Sequence, residues 1–383
     1  MSHVLALSRR MLWALSALLA GAALARQAMA EATDEGAAAV EKAVPPVHDL
    51  WIFNPASPAA GSIVNLAILV LAIAGLIFLV VEGVLFYTIV RFRKRATDDD
   101  ATEPPQVYGS QPIEVAWTAA PAVIVLFLVL VTTRTLWEVN ASPVSTELGP
   151  AGQASAGSPG TDELVITVVG RQWWWEYRYD EYRGQPLGFI TANELHIPAG
   201  DGKTARPVRL NLESADVVHS FWVPRLEGKV DLIPGRRNTL WLQTKQPGLY
   251  LGQCAEYCGT QHAHMLLRVV VDTPEDFERW LAAEAKPAVE DAAQAEGKQA
   301  FLGESCVNCH RVRGTPAKGT YGPDLTHVMS RQTLASGMLE NNEENLGRWV
   351  RDPQSIKPGC LMPAFGLSTQ RHDLIVRYLM TLH

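Results

Sequence analysis

The sequence predicts a multidomain membrane protein: a two-helix transmembrane hairpin, then a small β sandwich or barrel, then a compact helical unit at the C-terminal end. Three observations carry this reading. Two long apolar runs lie between residues 62 and 137 with a basic cluster between them, short β-rich segments fill 163–271, and a C-x-x-C-H motif with later helical periodicity marks the chain beyond 296. The 383 residues suffice for more than one domain, and 48% hydrophobic content with a mean hydropathy of +0.03 describes apolar segments joined to polar domains.

Residues 1–30 combine Arg9-Arg10, an apolar run over 11–24 and the small-residue end Ala28-Met29-Ala30, the pattern of a cleaved secretory signal; a retained anchor is the alternative. Export places the following polar parts outside the cytoplasm. An N-terminal exported segment, 31–61, comes next, and its Ala/Glu-rich part, 31–48, reads as mobile. Residues 62–90 are almost unbroken Ile, Leu, Val, Ala and Phe, more than the ~20 that cross a bilayer. Arg91-Phe92-Arg93-Lys94-Arg95 then marks the cytoplasmic side, and a second span over 115–137 returns the chain outward. The hairpin, 62–140, thus has both ends exported, in agreement with the signal. Glu82 and Arg134 lie where ionisable groups are costly, and are read as snorkelling or pairing. Glu114 opens the second span, where the helix dipole favours a carboxylate.

Residues 141–161, with their Ser-Pro, Gly-Pro and Gly-Ser steps, read as a flexible linker. Strands are expected over 163–169, 173–179, 208–212, 238–242 and 266–271, forming a small antiparallel sandwich or barrel within 162–281. Gln172-Trp173-Trp174-Trp175-Glu176-Tyr177 is an aromatic cluster that serves either core packing or a partner surface.

Most of the chemistry lies in Cys254-Ala255-Glu256-Tyr257-Cys258-Gly259-Thr260-Gln261-His262-Ala263-His264-Met265, with His219 upstream. Positions 254, 258 and 262 would share a helix face, but Pro247-Gly248, Gly252 and Gly259 read as a glycine-punctuated loop. Two thiolates, imidazoles and a thioether are soft ligands suited to copper; a zinc site, a disulfide and ordinary polar histidines remain open. Of five cysteines, four fall in two tight pairs, which argues against a disulfide scaffold. After an Ala/Glu/Pro-rich segment, 282–295, read as a second linker or the approach to a helix, comes Cys306-Val307-Asn308-Cys309-His310. C-x-x-C-H is the attachment signature of c-type haem, with two thioethers and a proximal histidine; a zinc knuckle or redox dithiol fits the adjacent histidine and the exported location less well. A second axial ligand must come from Met329, Met338, Met362, Met380 or His327. Cys360 reads as a reduced bystander thiol, and the chain from Ser368 as a closing helix with Leu374, Ile375, Tyr378 and Leu379 inward. The net charge of -7 and pI of 5.8 leave no basic footprint for nucleic acid and suit a cationic protein partner.

The order C-x-E-x-C-x-x-x-H-x-x-M, preceded by V-H-S-F-W-V-P (218–224) and K-V-D-L-I-P-G-R (229–236), resembles subunit II of the haem-copper cytochrome c oxidases at its dinuclear CuA centre. The resemblance implies Cys254 and Cys258 as bridging thiolates, His219, His262, Met265 and the Glu256 carbonyl as terminal ligands, and the Glu256 carboxylate facing a magnesium ion shared with the catalytic subunit. His264 has no counterpart among those ligands. E-x-x-W-T-x-x-P (114–121) resembles the start of the family's second helix and implies Glu114 at the cytoplasmic mouth of a proton pathway. Gln172-Trp173-Trp174-Trp175-Glu176-Tyr177 resembles its Q-W-x-W-x-Y segment and implies Trp173 as the residue that receives electrons from cytochrome c, with Trp174 where tyrosine is common. Met362-Pro363-Ala364-Phe365 and Gly322-Pro323-Asp324-Leu325 resemble the M-P-x-F and G-P-x-L segments of bacterial cytochromes c, which implies Met362 as the second axial ligand beside His310.

The implied folds are a cupredoxin-like Greek-key β-barrel over 162–281 and an all-α cytochrome c domain over 296–383. The implied function is electron transfer through covalent haem c and CuA to a catalytic subunit that reduces oxygen to water and translocates protons. Subunit II of a CuA-containing nitric oxide reductase is the alternative, and the Glu114 segment leans toward the oxidase. The implied partners are oxidase subunit I and the other subunits, an external donor such as cytochrome c, and membrane lipid. The implied location is a bacterial inner membrane, with the CuA and haem domains on its outer face.

Overall fold

The computed structural model describes residues 47–48, 50–95, 106, 108–141, 163–200, 206–289 and 291–383. The signal over 1–30 and nearly all of the 141–161 linker lie outside them.

Two long helices come first. α1 spans Pro58–Arg91 and α2 spans Gln111–Asn140, 34 and 30 residues, and both exceed the ~20 residues that a membrane crossing needs. Ser57 caps α1, its hydroxyl accepting from Ala60 N at 3.0 Å, with Pro58 in the first turn. The same hydroxyl donates to the Leu226 carbonyl of the β domain. Around it Arg225 Nε donates to Asn54 O (2.7 Å), Ala56 N to Arg225 O (2.8 Å) and Thr244 Oγ1 to Ala56 O (2.8 Å). The start of the membrane helix is therefore stitched to the base of the β domain. Between the helices, Ser62 Oγ donates to Glu138 Oε2 at 3.1 Å, and Arg134 pairs with Glu138 Oε1 one turn along α2 at 2.9 Å. Glu82 and Glu114 are exposed.

The β domain holds β1 Val47–His48, β2 Leu164–Arg171, β3 Trp174–Tyr182, β4 Gln185–Ala192, β5 Glu194–Pro198, β6 Val208–Ser214, β7 His219–Trp222, β8 Val230–Leu232, β9 Asn238–Leu242, β10 Gly248–Cys254 and β11 Leu266–Asp272. One sheet runs β4-β3-β2-β6-β9 and the other β5-β11-β10-β7-β8, with β1 added beside β10. The expected strands are present, but the sandwich is not purely antiparallel: β2/β6, β5/β11 and β1/β10 are parallel pairs. Parallel neighbours require crossover connections, which local sequence pattern does not show. Val47 and His48, expected in a mobile stretch, pair with Leu249 and Tyr250.

Alternation along β3 sends Trp175, Tyr177 and Tyr179 into the core, all fully buried. Between them the buried Glu176 is held by Arg171 at 2.8 Å and Arg178 at 2.6 Å. β10 was expected as a loop because of its glycines. A Cβ at Gly252 would lie 2.3 Å from the Trp222 carbonyl, so that glycine permits a close backbone approach inside a strand. A helix absent from the sequence expectation, α3 Pro274–Glu284, closes the domain: Thr273 accepts from Asp276 N, Phe277 and Leu281 are buried, and Trp280 stacks on His196 at 4.4 Å.

The expected linker over 282–295 begins inside α3, and its next residues are pinned. Arg313 donates to the carbonyls of Glu284 and Ala285, Ala288 N to Arg313 O (3.2 Å), and a ring nitrogen of His327 lies 3.0 Å from Lys286 O. The C-terminal unit contains α4 Ala295–Leu302, α5 Cys306–Cys309, a hairpin of β12 Thr333–Leu334 and β13 Leu339–Glu340, α6 Glu343–Arg351, α7 Pro353–Ile356 and α8 Thr369–Leu379. α8 is the expected closing helix. Ser368 caps it, Ile375, Tyr378 and Leu379 are buried, and Tyr378 meets Phe301 of α4 at 5.6 Å.

This unit is seated on the β domain. The buried Glu194 accepts from Thr333 N (2.9 Å), Thr333 Oγ1 (2.8 Å) and Gln332 N (2.9 Å), and Leu266 N donates to Ser336 O at 3.3 Å.

Candidate metal centre and haem pocket

At the end of β10 the chain turns through residues 255–261 and a short 3-10 turn, His262–His264, before β11. That loop folds Cys254, Cys258, His262 and Met265 against His219, the first residue of β7. The Cys254 and Cys258 Sγ atoms are 3.8 Å apart, too far for the ~2.05 Å bond of a disulfide. His219 Nδ1 lies 4.0 Å from Cys254 Sγ, His262 Nδ1 3.7 Å and Met265 Sδ 3.9 Å from Cys258 Sγ, and the Glu256 carbonyl 3.3 Å from Cys254 Sγ. All six proposed copper donors therefore converge. His219, Cys254, Cys258 and Met265 are buried, and His262 is half-buried. His264 faces away, with Nδ1 2.6 Å from Gln261 Oε1.

The electrostatics fit a cation. The neighbouring Cys258 sulfur, against burial and with help from His219, holds the Cys254 thiol well below its usual range. Its partner is pushed the other way, since a second thiolate beside the first, in a buried site, is opposed by Cys254 and by desolvation. The pair gives up one proton readily and the second only to a positive charge, as metal binding supplies. Asp216 Oδ1 lies 2.7 Å from His219 Nε2 and leaves Nδ1 for the sulfur side. Burial alone would lower the His219 pKa, but the contacts with Asp216 and Cys254 together outweigh it, so the net shift is upward. Soft sulfur and imidazole donors in this number suit copper.

The second site is an apolar cavity in the C-terminal unit. Cys306, Cys309, His310 and Met362 all line it, and both cysteines are free thiols. His310 Nδ1 is 2.8 Å from Pro323 O, which orients the ring, and burial lowers its pKa toward the neutral imidazole that binds iron. A Cβ at Gly322 would lie 2.7 Å from the His310 ring, so only glycine fits beside it. Arg331 reaches the cavity wall, and its buried Nε has no acceptor among the described residues; a haem brings carboxylates of its own. These features fit a covalently held haem.

The structure separates the five axial candidates. Met362 alone among them lines the cavity. Met329 and Met380 pack against the unit's core, Met338 sits on the β12–β13 hairpin, and His327 has one ring nitrogen 2.6 Å from His383 O and the other 3.0 Å from Lys286 O. Gln354, missed in the sequence, ties the Met362 loop by donating to Cys360 O (2.8 Å) and Met362 O (2.7 Å). Cys360 also lines the cavity, and burial raises its thiol pKa, which keeps it protonated.

Trp173 joins the two sites. It is 9% exposed, lines the haem cavity, and donates Nε1–H to the Cys258 carbonyl at 3.0 Å. Gln172 Nε2 donates to the same carbonyl at 2.8 Å. Trp174, half-buried and 5.4 Å from the Arg171 guanidinium, shares the cavity wall. Glu114 lies apart from both sites in the first turn of α2. Asp216 and Lys357 were also missed; Asp216 lies three residues before His219, in a turn where its N–H donates to Ser214 Oγ at 3.2 Å, a weak signal.

Comparison with known proteins gives a consistent result. Family models match residues 46–134 (cytochrome c oxidase subunit II, transmembrane domain), 164–273 (cytochrome c oxidase subunit II, periplasmic domain) and 294–383 (cytochrome c). Cytochrome c oxidase subunit 2 of Alkalihalophilus pseudofirmus is 34% identical over 340 residues, 88% of this chain and 91% of that one. The Bacillus subtilis protein of the same name is 32% identical over 291 residues, 73% and 76% of the two chains. The solved periplasmic domain of subunit II of cytochrome oxidase from Bradyrhizobium japonicum is 30% identical, covering 32% of this chain and 92% of that one, with a TM-score of 0.28.

Proposed function

Because the chain belongs to the cytochrome c oxidase subunit II family and carries a C-terminal cytochrome c domain, we propose that it conducts electrons from an external donor, through haem c and a dinuclear copper centre, to the catalytic subunit of an oxygen-reducing, proton-translocating oxidase. One observation carries this reading: Trp173 belongs to both sites at once, lining the haem cavity and hydrogen-bonded to the carbonyl of the cysteine at 258.

When bound, the haem and the copper pair each supply a one-electron carrier that needs little rearrangement on reduction. The chain's own residues do the rest. His219, Cys254, Cys258, His262, Met265 and the Glu256 carbonyl would hold copper, with Asp216 orienting His219. Cys306 and Cys309 would attach the haem, His310 and Met362 would bind its iron, and Trp173 bridges the gap between the two sites. The Glu256 carboxylate would serve a magnesium ion shared with subunit I, and Glu114 would open a proton pathway at the cytoplasmic surface. The chain is multi-pass in a bacterial inner membrane, with the copper and haem domains on the outer side; 162–281 and 296–383 are its two redox domains.

Metal and haem analysis of the purified complex tests the reading, with copper and covalent haem both expected on this chain. A chain loaded with zinc and free of copper overturns it. Met362→Ala should leave the haem attached through Cys306 and Cys309 while lowering its reduction potential, because thioether ligation raises it; redox titration of the covalent haem checks this, and an unchanged potential moves the ligand elsewhere.

A further inference from the structure

Lys357 is a buried cation with no carboxylate partner among the described residues. Its side chain is 3% exposed, and its Nζ donates to three backbone carbonyls: Trp173 O at 2.8 Å, His264 O at 2.8 Å and Ala335 O at 3.1 Å. Burial pulls its pKa down to about 8, which still leaves it charged at neutral pH. An ammonium has three N–H donors, and here every one is used. Burying a charge is costly unless it is fully hydrogen-bonded, and bonds from a charged donor are the stronger kind.

The acceptors come from different bodies. Trp173 and His264 belong to the β domain, one on the bridge between the sites and the other next to Met265 of the copper loop. Ala335 lies on the β12–β13 hairpin of the haem unit, and Lys357 follows α7 of the same unit, five positions before Met362 on the haem cavity wall. A lysine serving only the haem unit's own fold would not spend two of three donors on the other domain.

We propose that Lys357 is a positioning residue for interdomain electron transfer: its ammonium latches the haem unit onto the Trp173 carbonyl and the copper loop, fixing the haem cavity against the Trp173 side chain. This rests on the haem-to-copper route proposed above. The Glu194 contacts with Gln332 and Thr333 seat the far side of the same hairpin, so Lys357 sets the docked orientation at the redox side. A rigid latch raises the fraction of molecules in the transfer-competent pose, and the observed rate scales with that fraction.

The test uses Lys357→Met in the intact oxidase complex. Methionine keeps the apolar stem and supplies no donor, so three carbonyls lose their partner. Haem and copper spectra should match the parent, while flash-initiated haem-to-copper transfer slows by roughly tenfold or more. Hydrogen exchange, which is independent of electron flow, should show lost protection at 332–337 and 264–266 with the β2/β3 core unchanged. If that variant does not assemble, Lys357→Arg carries the same test, because a planar guanidinium cannot aim three N–H groups at one convergent set of carbonyls. Parental transfer rate with parental protection overturns the latch. Absence of haem-to-copper transfer in the parent itself, with the protection still lost in the variant, instead overturns the electron route and leaves the latch standing.

Discussion

Cys258→Ser is expected to strip copper from the chain while leaving the covalent haem in place. Cys258 is the sulfur on which the site closes: Cys254 Sγ, His262 Nδ1 and Met265 Sδ lie 3.7–3.9 Å from it. A serine hydroxyl is a hard donor and stays protonated, so it neither bridges soft metal ions nor contributes charge. The loss of affinity should exceed the ~10–100-fold that accompanies removal of an outer-shell partner. The fold should persist, because the swap is nearly isosteric and the Cys258 carbonyl still accepts from Trp173 and Gln172. Metal analysis and electron paramagnetic resonance check the outcome. Retention of parental copper with a parental signal would remove Cys258 from the ligand set.

Trp173→Gln should be the more selective lesion. Glutamine keeps an N–H donor that can reach the Cys258 carbonyl, and the backbone carbonyl that Lys357 holds is untouched. What disappears is the indole between the haem cavity and the copper loop. The copper and haem spectra are expected to survive, while haem-to-copper transfer slows by at least about tenfold, in keeping with the steep cost of misplacing a transfer partner by an ångström. Onward transfer from copper should run at the parental rate. The step should respond weakly to ionic strength, since salt screens exposed charges and the bridge is aromatic and buried. Stopped-flow and flash measurements separate the two steps. An unaltered haem-to-copper rate returns Trp173 to structural packing.

The parts of this chain that were legible in sequence are those whose chemistry is local. Cys254, Cys258, His262 and Met265 lie within one loop, Cys306, Cys309 and His310 are consecutive in a motif, and the membrane helices announce themselves by unbroken apolar runs. His219, upstream of the loop, joins it as a soft-donor residue and takes its ligand role from resemblance to a family, and Met362 is chosen among several candidates by resemblance as well. What stayed hidden depends on long-range contact. Lys357 reads as an ordinary surface lysine until Trp173 and Ala335 are brought to it, and Asp216 as a turn residue until β7 and the copper loop meet. Gly252 looked like a loop residue because the sequence does not show the Trp222 carbonyl pressing against it. The parallel pairing of β2 with β6 follows from crossover connections rather than from alternation. Within the expected 282–295 linker, residues 282–284 complete α3, and the carbonyls of Glu284 and Ala285 accept from Arg313, contacts that composition does not show.

Ser57 uses one hydroxyl twice, accepting from the first turn of α1 and donating to Leu226 of the β domain. With the Asn54, Ala56 and Thr244 contacts around it, this makes the membrane helix and the soluble domain a single lever. Lipid thickness acts on such a lever: a helix whose apolar length exceeds the hydrocarbon slab tilts to hide the excess. A tilt of α1 would be passed through these contacts to the base of the β domain, which ties the attitude of that domain to the thickness of the bilayer around the helix.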